Sequence, residues 1–443
     1  MPTFFVDQHG CAKNQVDGEE ISSRLINAGF LAASSPDEAD AIIINTCGFI
    51  EDAKKESIAA IVEAKTRLPK KKVIAIGCLS QRYPEELFNG LPEADGVLGN
   101  GNLSIIPEAV TKILRGERIV LATAQNKKMP SPYYPRIVFF DYPGTAHIKI
   151  TEGCSNYCSY CAIPLIRGEL RSRSIEDIVL EARNLIAQGM FELVLIGQDL
   201  GNYGKDLSGR CLLMDLMEAL SNIEADFRIR FLYIHPDHFP SEILKIIAHD
   251  SRFSPYFDLP FQHASTPILQ KMNRHGSATE YLNLIYRIRS ELPMSMIRST
   301  FLVGFPGETE EDFAALLNFQ KTAEIDWVGV FRYSLEENTP AYDMKARIPK
   351  SIARKRKAIL ENEQIAITAN RLQRFIGVSD TFIIEEAFDH DELCFGRGWM
   401  QAPDIDGVTI INASLKPGTI AKANIVSVNG VDFNAELEYT TTP

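Results

Sequence analysis

The chain has 443 residues, of which 45% are hydrophobic, and its 58 Asp and Glu outnumber its 46 Lys and Arg to give a formal net charge of −12. This acidic balance argues against a large nucleic-acid-binding surface, which needs clustered basic residues. The N-terminus MPTFFVDQHG lacks a secretory signal and runs such as AIIIN are too short to span a bilayer, so we predict a cytoplasmic protein without membrane contact.

Residues 1–117 alternate short apolar runs with helical stretches. We predict strands at TFFVDQ, ADAIIINT and KKVIAIG, and helices at EEISSRLINAGF and EDAKKESIAAIVEAKTRL. This βαβαβ order predicts a parallel sheet and hence an N-terminal α/β domain. Residues 123–135, TAQNKKMPSPYYP, are polar and rich in proline, which is typical of a linker.

Residues 140–370 contain six further strand candidates that alternate with helices: AHIKIT, ELVLIG, RIRFLYI, PYFDLPF, MIRSTFLVG and WVGVFRY. Such a repeat forms either a doubly wound sheet or an incomplete (β/α)6 barrel of the TIM type. A long charged helix follows from about Pro349 to Phe375. The fold class is therefore α/β.

Residues 373–440 change to short strands broken by turns: TFIIEEAF, ELCFGRGW, GVTIIN, TIAKANIVSV and FNAELEY. Five strands of this length predict a small antiparallel β-barrel as a third domain.

Three of the eight cysteines, Cys154, Cys158 and Cys161, form a C-x3-C-x2-C pattern directly after the first barrel strand. The carboxyl ends of barrel strands are where β/α barrels place their active sites. A zinc site needs a fourth Cys or His, and none occurs in residues 162–181, while a redox pair in CSYC would leave Cys154 without a role. We therefore favour a 4Fe–4S cluster on three thiolates, with one iron left open.

Three more cysteines, Cys11, Cys47 and Cys78, are far apart in sequence, but each follows a predicted strand, in FFVDQHGC, AIIINTC and VIAIGC. Because parallel strands end at one edge of a sheet, these thiols can converge on a second cluster. The alternative is three separate buried cysteines, since free Cys packs as a small apolar residue. Cys211 and Cys394 have no partner at metal-binding spacing, and we interpret both as structural.

The loop TEGCSNYCSYCAI, with the aromatic Tyr160 before its last cysteine, resembles the radical S-adenosylmethionine superfamily. The stretches GCAKNQVDGE, NTCGFIEDAKKES and IGCLSQRY are similar to the N-terminal module of its methylthiotransferases, and the final domain resembles the TRAM barrel of the same family. The resemblance covers nearly the whole chain. It implies two 4Fe–4S clusters, one on each cysteine set, with S-adenosylmethionine on the open iron of the first and the transferable sulfur on the second.

The resemblance also implies which residues surround the cofactor. Gly197, Gln198 and Asp199 match the segment that binds its amino group, although the family usually has glutamate at the third position. The remaining candidates lie at or after the ends of barrel strands: Tyr160, Gln262, Gly304, Phe331, Arg332 and Tyr333. His263 lies beside Gln262 and is a further candidate for the site.

The family divides between enzymes that modify tRNA adenosine and enzymes that modify an aspartate of a ribosomal protein. Residues 373–443 contain four basic and eleven acidic side chains, which suits a basic protein better than tRNA, unless the acids are only a solvated surface. The stretches RGELRSRS, FDLPFQHAS and IRSTFLVGFPGETEEDF resemble the RimO subgroup. That resemblance implies methylthiolation of the β-carbon of an aspartate in small-subunit ribosomal protein twelve, with a reducing electron donor as a second partner.

Two other functions stay open at this point. One is a tRNA adenosine methylthiotransferase, and the other is a non-enzymatic RNA-binding module whose cysteines hold zinc. The basic run KARIPKSIARKRK at residues 345–357 is compatible with contact to ribosomal RNA and equally with a solvated helix face.

Overall fold

The computed structural model describes residues 1–123, 133–140, 142–388 and 392–438. Most of the predicted linker, residues 124–132, lies outside the described residues. The described strands build a first sheet, a second sheet with a small hairpin beside it, and a closed barrel. Within these residues no helix combines the length and the apolar character needed to cross a membrane.

The first sheet has six parallel strands in the order β2-β1-β3-β4-β5-β6. They are β1 (Thr3–Gln8), β2 (Leu31–Ala32), β3 (Ala41–Thr46), β4 (Lys72–Gly77), β5 (Gly96–Gly99) and β6 (Ile119–Leu121). The helices are α1 (Ala12–Asn27), α2 (Glu51–Arg67), α3 (Cys78–Arg82), α4 (Pro84–Gly90) and α5 (Ile106–Leu114), with a 3₁₀ turn at Leu103–Ile105. Every residue of β3 is buried, because apolar cores lie on both faces of the sheet.

The predicted parallel α/β domain is confirmed, with two differences. The strands β2, β5 and β6 were not predicted, since they have two to four residues and no clear apolar alternation. Helix α1 begins at Ala12, directly after Cys11, and not at Glu19 as predicted. The earlier start places Lys13 and Asn14 in the first helical turn, beside the cysteine.

The second sheet is open and parallel, in the order β7-β10-β11-β12-β13-β14. These strands are β7 (Thr145–Lys149), β10 (Glu192–Ile196), β11 (Arg228–Phe231), β12 (Phe253–Asp258), β13 (Met296–Val303) and β14 (Trp327–Arg332), while β8 (Thr151–Glu152) and β9 (Arg171–Ser172) form the hairpin. The sheet has the six strands of the predicted incomplete barrel, which is thereby confirmed.

The helices of the second unit are α6 (Ile163–Arg167), α7 (Ile175–Ala187), α8 (Lys205–Ser208), α9 (Leu213–Ser221), α10 (Ile243–His249), α11 (Thr266–Lys271), α12 (Ala278–Glu291), α13 (Glu310–Ala323) and α14 (Lys350–Leu372). Short 3₁₀ turns occur at Leu200–Asn202, Pro236–His238, Pro340–Asp343 and Gln373–Phe375. The predicted long charged helix corresponds to α14 and the turn that follows it.

The closed barrel contains β15 (Ser379–Phe388), β16 (Leu393–Arg397), β17 (Thr409–Ile411), β18 (Ile420–Asn429) and β19 (Asp432–Leu437). The five predicted strands are confirmed, but the barrel is not entirely antiparallel, because β17 pairs with β19 in parallel. The strand β18 lies between them in sequence and runs opposite to β19, so β19 returns in the direction of β17.

The barrel packs against the edge of the second sheet at which the strands begin. Met296 and Trp327, which begin β13 and β14, share one apolar core with Phe375 and Phe382. The cysteine loops lie at the opposite edge, where the strands end.

Buried ion pairs reinforce the same contact. Arg230 lies 2.7 Å from Glu192, and Arg397 of the barrel binds both Glu192 and Glu385. The side chain of Asp406 enters the second sheet and accepts a hydrogen bond from Tyr256 Oη at 2.5 Å. Several acids counted as surface charge in the sequence therefore hold the barrel in place.

Candidate active site

The first cysteine loop, residues 154–161, is held at the carboxyl end of β7. The β8–β9 hairpin closes its base, and the N–H of Cys154 donates to the carbonyl of Gly168 at 3.0 Å. Gly153 has a φ of +73°, and a Cβ there would lie 2.1 Å from the carbonyl oxygen of Glu169, so only glycine fits this turn. The three thiols of the loop are free and partly exposed.

Burial raises the pKa of the Cys154 thiol to about 12, and it also raises that of Cys161. Both groups are therefore protonated at neutral pH while no metal charge is near. A cluster reverses this preference, because its irons bind the thiolate form. The loop thus offers soft ligands that release their protons on metal binding.

The second cysteine set lies at the carboxyl ends of β1, β3 and β4. Asn14 ties these ends together, since its Nδ2 donates to the carbonyls of His9, Asn45 and Thr46 and its Oδ1 lies 3.8 Å from Cys78 Sγ. A Cβ on Gly10 would lie 3.3 Å from Cys47 Sγ, which places the Cys11 turn against Cys47. The structure thus brings the three loops together. The sequence analysis did not predict this role of Asn14, although a polar residue so close to a cysteine at a strand end could have indicated it.

The thiols of the second set are close enough to shift one another's pKa. Burial raises the pKa of Cys78 to about 12, Arg167 opposes this shift, and the negative charges of Cys11 and Cys47 add to it. The pKa of Cys11 is lowered: the surrounding protein raises it, but the charges of Lys13 and Arg167 outweigh that effect.

Within the described residues no three His, Cys, Asp or Glu side chains are close enough to bind a single metal ion together. Thiolates on a 4Fe–4S cluster each bind a different iron and are spaced more widely than the ligands of one ion. The role of both cysteine sets as cluster ligands stays a prediction.

The two cysteine sets meet across the contact between the first and second sheets. Cys78 packs against Ala162 and Ile166, which follow Cys161 in the chain. Arg167 of the same helix donates to Cys78 Sγ at 3.2 Å and forms ion pairs with Asp17 and Glu152 at 2.9 and 2.8 Å. Helix α6 therefore connects the two sets directly, and the region between the two sets is referred to as the cleft.

The segment Gly197–Asp199 lies at the end of β10, in this cleft. A Cβ on Gly197 would meet Thr151 Oγ1 at 2.1 Å, so the position requires glycine. Both polar atoms of the Gln198 amide are buried and have no hydrogen-bond partner in the described part of the chain. Buried amide atoms are normally paired, and a bound polar group would satisfy those of Gln198.

The carboxylate of Asp199, unlike the amide of Gln198, is fully hydrogen-bonded within the protein. Its two oxygens accept hydrogen bonds at 2.8 to 3.0 Å from five donors: the backbone N–H groups of Gly201 and His235, the amides of Asn156 and Asn202, and the ring of His238. A carboxylate accepts about four such bonds, so Asp199 has no capacity left for an amino group of the cofactor. The geometry favours Asp199 as the anchor of these loops over the direct contact that we predicted.

The fourth predicted strand end holds Gln262 and His263. Gln262 has a φ of +67° and its backbone bridges to β13. His263 is fully buried; its Nδ1 accepts from the N–H of Ser265, and its Nε2 lies 3.5 Å from Glu308 Oε1. His263 therefore supports the turn after β13.

Three family models match the chain in succession. They are described as "Uncharacterized protein family UPF0004" at residues 3–99, the radical SAM superfamily at residues 148–319 and a TRAM domain at residues 376–437. The ribosomal protein uS12 methylthiotransferase RimO of Treponema denticola is 44% identical, and the alignment covers 97% of this chain and 99% of that protein. The protein of the same name from Pelotomaculum thermopropionicum is 39% identical, with coverages of 96% and 97%. This chain belongs to the RimO family.

Solved structures of more distant proteins share the RimO fold. The radical S-adenosylmethionine methyltransferase TsrM from Kitasatospora setae is 15% identical, with a TM-score of 0.55 over 77% of each chain. The cobalamin-dependent radical enzyme OxsB is 13% identical, with a TM-score of 0.52 over 82% of this chain and 56% of that one. At these identities the likeness concerns the fold alone. The family and the fold class expected from the sequence are both confirmed.

In this RimO family member, four of the predicted cofactor residues line one cavity of about 400 Å³: Gly304, Phe331, Arg332 and Tyr333. The first turn of α2 contributes Ile50, Glu51 and Asp52 to the same cavity, and α14 closes its far side. The hydroxyl of Tyr333 is buried without a hydrogen-bond partner among the described residues, and its ring packs in one cluster with Tyr160. The contribution of α2 to the cavity wall was not predicted, because the sequence does not show how the first domain packs against β14.

We expect Gly304→Ala to weaken binding of S-adenosylmethionine about tenfold or more. Gly304 has a φ of +77°, and an added Cβ would lie 2.6 Å from Cβ of Ala353 in α14. Equilibrium binding of the cofactor to the reconstituted enzyme measures the effect. Gly377→Ala is the matched control, since Gly377 has a φ of +86° and no atom within 4 Å of its added Cβ. Equal affinities of the two variants would show that Gly304 does not shape the cofactor site.

Proposed function

We propose that this chain transfers a methylthio group to the β-carbon of an aspartate in ribosomal protein uS12. The full-length likeness to proteins named uS12 methylthiotransferases supports this function. The observation that supports it best is the packing of Cys78 against Ala162, because Ala162 directly follows Cys161 and the contact brings a residue of each cysteine loop together. Sulfur transfer to a carbon radical needs that arrangement, because the radical must reach the sulfur before it meets water.

We assign a 4Fe–4S cluster and S-adenosylmethionine to Cys154, Cys158 and Cys161, and a second cluster to Cys11, Cys47 and Cys78. When bound, the first cluster and S-adenosylmethionine together would supply the radical that removes a hydrogen atom, and the second cluster would supply the sulfur. A reducing electron donor is a required partner. The donor set fits these groups, because both sets offer three thiols, and the unpaired Gln198 amide and Tyr333 hydroxyl can bind polar cofactor atoms.

The protein's own residues then have positioning roles. Asn14 fixes the three strand ends that present the second set, and the Arg167 guanidinium donates to Cys78 Sγ. A donor to a cluster sulfur lowers the negative charge that the surrounding protein must accommodate. Tyr160 and Tyr333 form part of an apolar wall that keeps water from one side of the cofactor site.

A buried glutamate joins the first domain to the second sheet. Glu336 follows β14 and binds Arg82 of α3 at 2.5 Å and Lys54 of α2 at 2.9 Å. The N–H of Glu51 donates to the hydroxyl of Ser334 at 3.1 Å in the same contact. This clamp keeps the two cysteine sets facing each other.

The function is tested with the enzyme reconstituted under anaerobic conditions with iron, sulfide, S-adenosylmethionine and a reductant. We expect mass spectrometry to find a methylthio group on one aspartate of purified uS12, and no methylthio nucleoside after incubation with tRNA. The same uS12 with asparagine at the target position is the control and gains no mass. Methylthio adenosine in tRNA together with unchanged uS12 would contradict the proposal and support the tRNA function.

A further inference from the structure

Lys13 is a buried cation without an ion-pair partner among the described residues. It is 8% exposed; its Nζ donates to the carbonyl of Gly197 at 3.1 Å and lies 3.5 Å from the ring centroid of Tyr233. An ammonium group has three donors, so one backbone carbonyl leaves it incompletely bonded. Buried charges are normally paired, because desolvation is costly.

The other buried cations of this cleft are paired. Lys149 binds Asp17 and Glu152, and Arg167 binds the same two carboxylates. The nearby acids are thus occupied by other cations. Lys13 also lies in the first turn of α1, where the helix dipole disfavours a positive charge. The contacts of Lys13 are the Tyr233 ring, the Gly197 carbonyl and the charge of Cys11, and no carboxylate of the described residues pairs with it.

The position of Lys13 coincides with the cleft between the two cysteine sets. It follows Cys11 by two residues and reaches the backbone of Gly197, which precedes the unpaired amide of Gln198. An anion that approaches Nζ from the cleft would have one cysteine set on each side. In an aspartate, the side-chain carboxylate is bonded directly to the β-carbon, so holding the carboxylate fixes that carbon.

We propose that Lys13 binds the side-chain carboxylate of the substrate aspartate and thereby selects an acidic residue as the target. This inference rests on the proposed function. Tyr233 covers one side of the ammonium, so the carboxylate binds to the side that faces away from the ring. An asparagine or a nucleobase has no negative charge to pair with Lys13, and the buried cation would then stay unpaired, which is how a site rejects a neutral analogue.

A different role for Lys13 is to neutralise the thiolates of the neighbouring set. The two roles differ in what they change. If Lys13 neutralises the cluster, its removal changes the iron content and does not change the preference for aspartate over asparagine. If Lys13 binds the substrate, its removal abolishes that preference and does not change the iron content.

The test measures binding of uS12, with aspartate or with asparagine at the target position, to the reconstituted holoenzyme and to Lys13→Met. We expect the wild-type enzyme to bind the aspartate form roughly 10- to 100-fold more tightly than the asparagine form. In Lys13→Met the two forms bind equally, while the iron and sulfide content matches that of the wild-type enzyme. Lys65→Met is the matched control, since Lys65 is a largely buried lysine paired with Asp95 at 2.7 Å, away from the cleft, and it keeps the preference.

Three results would overturn the inference. The first is equal affinity of the wild-type enzyme for both forms of uS12. The second is a preference for the aspartate form that survives in Lys13→Met. The third is loss of iron in Lys13→Met, while the protein molecules that keep their clusters still prefer the aspartate form. If the wild-type enzyme does not modify uS12 at all, the proposed function fails. If it modifies uS12 and Lys13→Met still prefers the aspartate form, only the role of Lys13 fails.

Discussion

Replacing Cys154, Cys158 and Cys161 together with alanine will abolish cleavage of S-adenosylmethionine, whereas replacing Cys11, Cys47 and Cys78 will leave cleavage and abolish methylthio transfer. The reason is that separate elements hold the two sets. The first loop is folded by the β8–β9 hairpin and the contact to Gly168, and neither depends on the thiols of the second set. Chromatography of 5′-deoxyadenosine measures cleavage, and mass spectrometry of uS12 measures transfer.

The iron content gives an independent readout, because each triple variant should keep about half of the iron of the wild-type protein if each set holds one cluster. Cys211→Ala is the control, since Cys211 packs at the edge of the second sheet's apolar core and should keep full iron and activity. Full methylthio transfer by the variant that lacks Cys11, Cys47 and Cys78 would refute the second cluster. Unchanged cleavage without Cys154, Cys158 and Cys161 would refute the first.

Glu192→Gln will produce the largest loss of stability that we expect from a single side chain. Glu192 is fully buried between Arg230 and Arg397, so the change leaves Arg230 without a carboxylate and Arg397 with only that of Glu385. Removal of one partner from a buried ion pair costs about 3 to 5 kcal/mol of the free energy of unfolding. Denaturant-induced unfolding followed by circular dichroism measures the loss.

The pH dependence of this effect has a definite sign. Burial raises the pKa of Glu192, but the charges of Arg230 and Arg397 outweigh it and lower the pKa to about 2. A carboxyl whose pKa is lower in the folded state stabilises the protein fully above its unfolded pKa of about 4.3, and this contribution is lost as the pH falls toward 2. The difference in stability between wild type and Glu192→Gln should therefore shrink over that range.

Glu63→Gln is the control, because Glu63 is exposed on α2 and its replacement should change the free energy of unfolding by less than about 0.5 kcal/mol at any pH. A difference between wild type and Glu192→Gln that grows as the pH falls from about 4.3 toward 2 would contradict the assigned role of Glu192.

The sequence was sufficient for features that depend on local pattern. The position of Cys11, Cys47 and Cys78 after apolar runs indicated that the thiols lie at one sheet edge, as the structure confirms. The spacing of Cys154, Cys158 and Cys161 indicates a three-thiol cluster, which stays a prediction. Both inferences rest on strand periodicity and on the rule that parallel strands end together. The six-strand barrel and the final five-strand barrel follow from the same periodicity.

Features that depend on contacts between domains were not accessible in this way. The cavity wall supplied by α2 and the placement of Lys13 against Gly197 join residues that are far apart in the chain. The acidic count of the last domain overstates its surface charge for the same reason, since the side chains of Glu385 and Asp406 are buried and bind partners in the protein. Composition counts charges, but it does not distinguish a solvated carboxylate from one that holds two domains together.

The barrel of β15–β19 shares an apolar core and buried ion pairs with the strands that carry the cysteine loop. This has a consequence for how the enzyme matures during its own synthesis. Domains generally fold as they emerge, from the N-terminus onward. Here the strands of the closed barrel complete an apolar core that they share with the second sheet, so that core closes only after β19 has left the exit tunnel. The sheet that carries the first cysteine loop is therefore completed later than its own strands are synthesised.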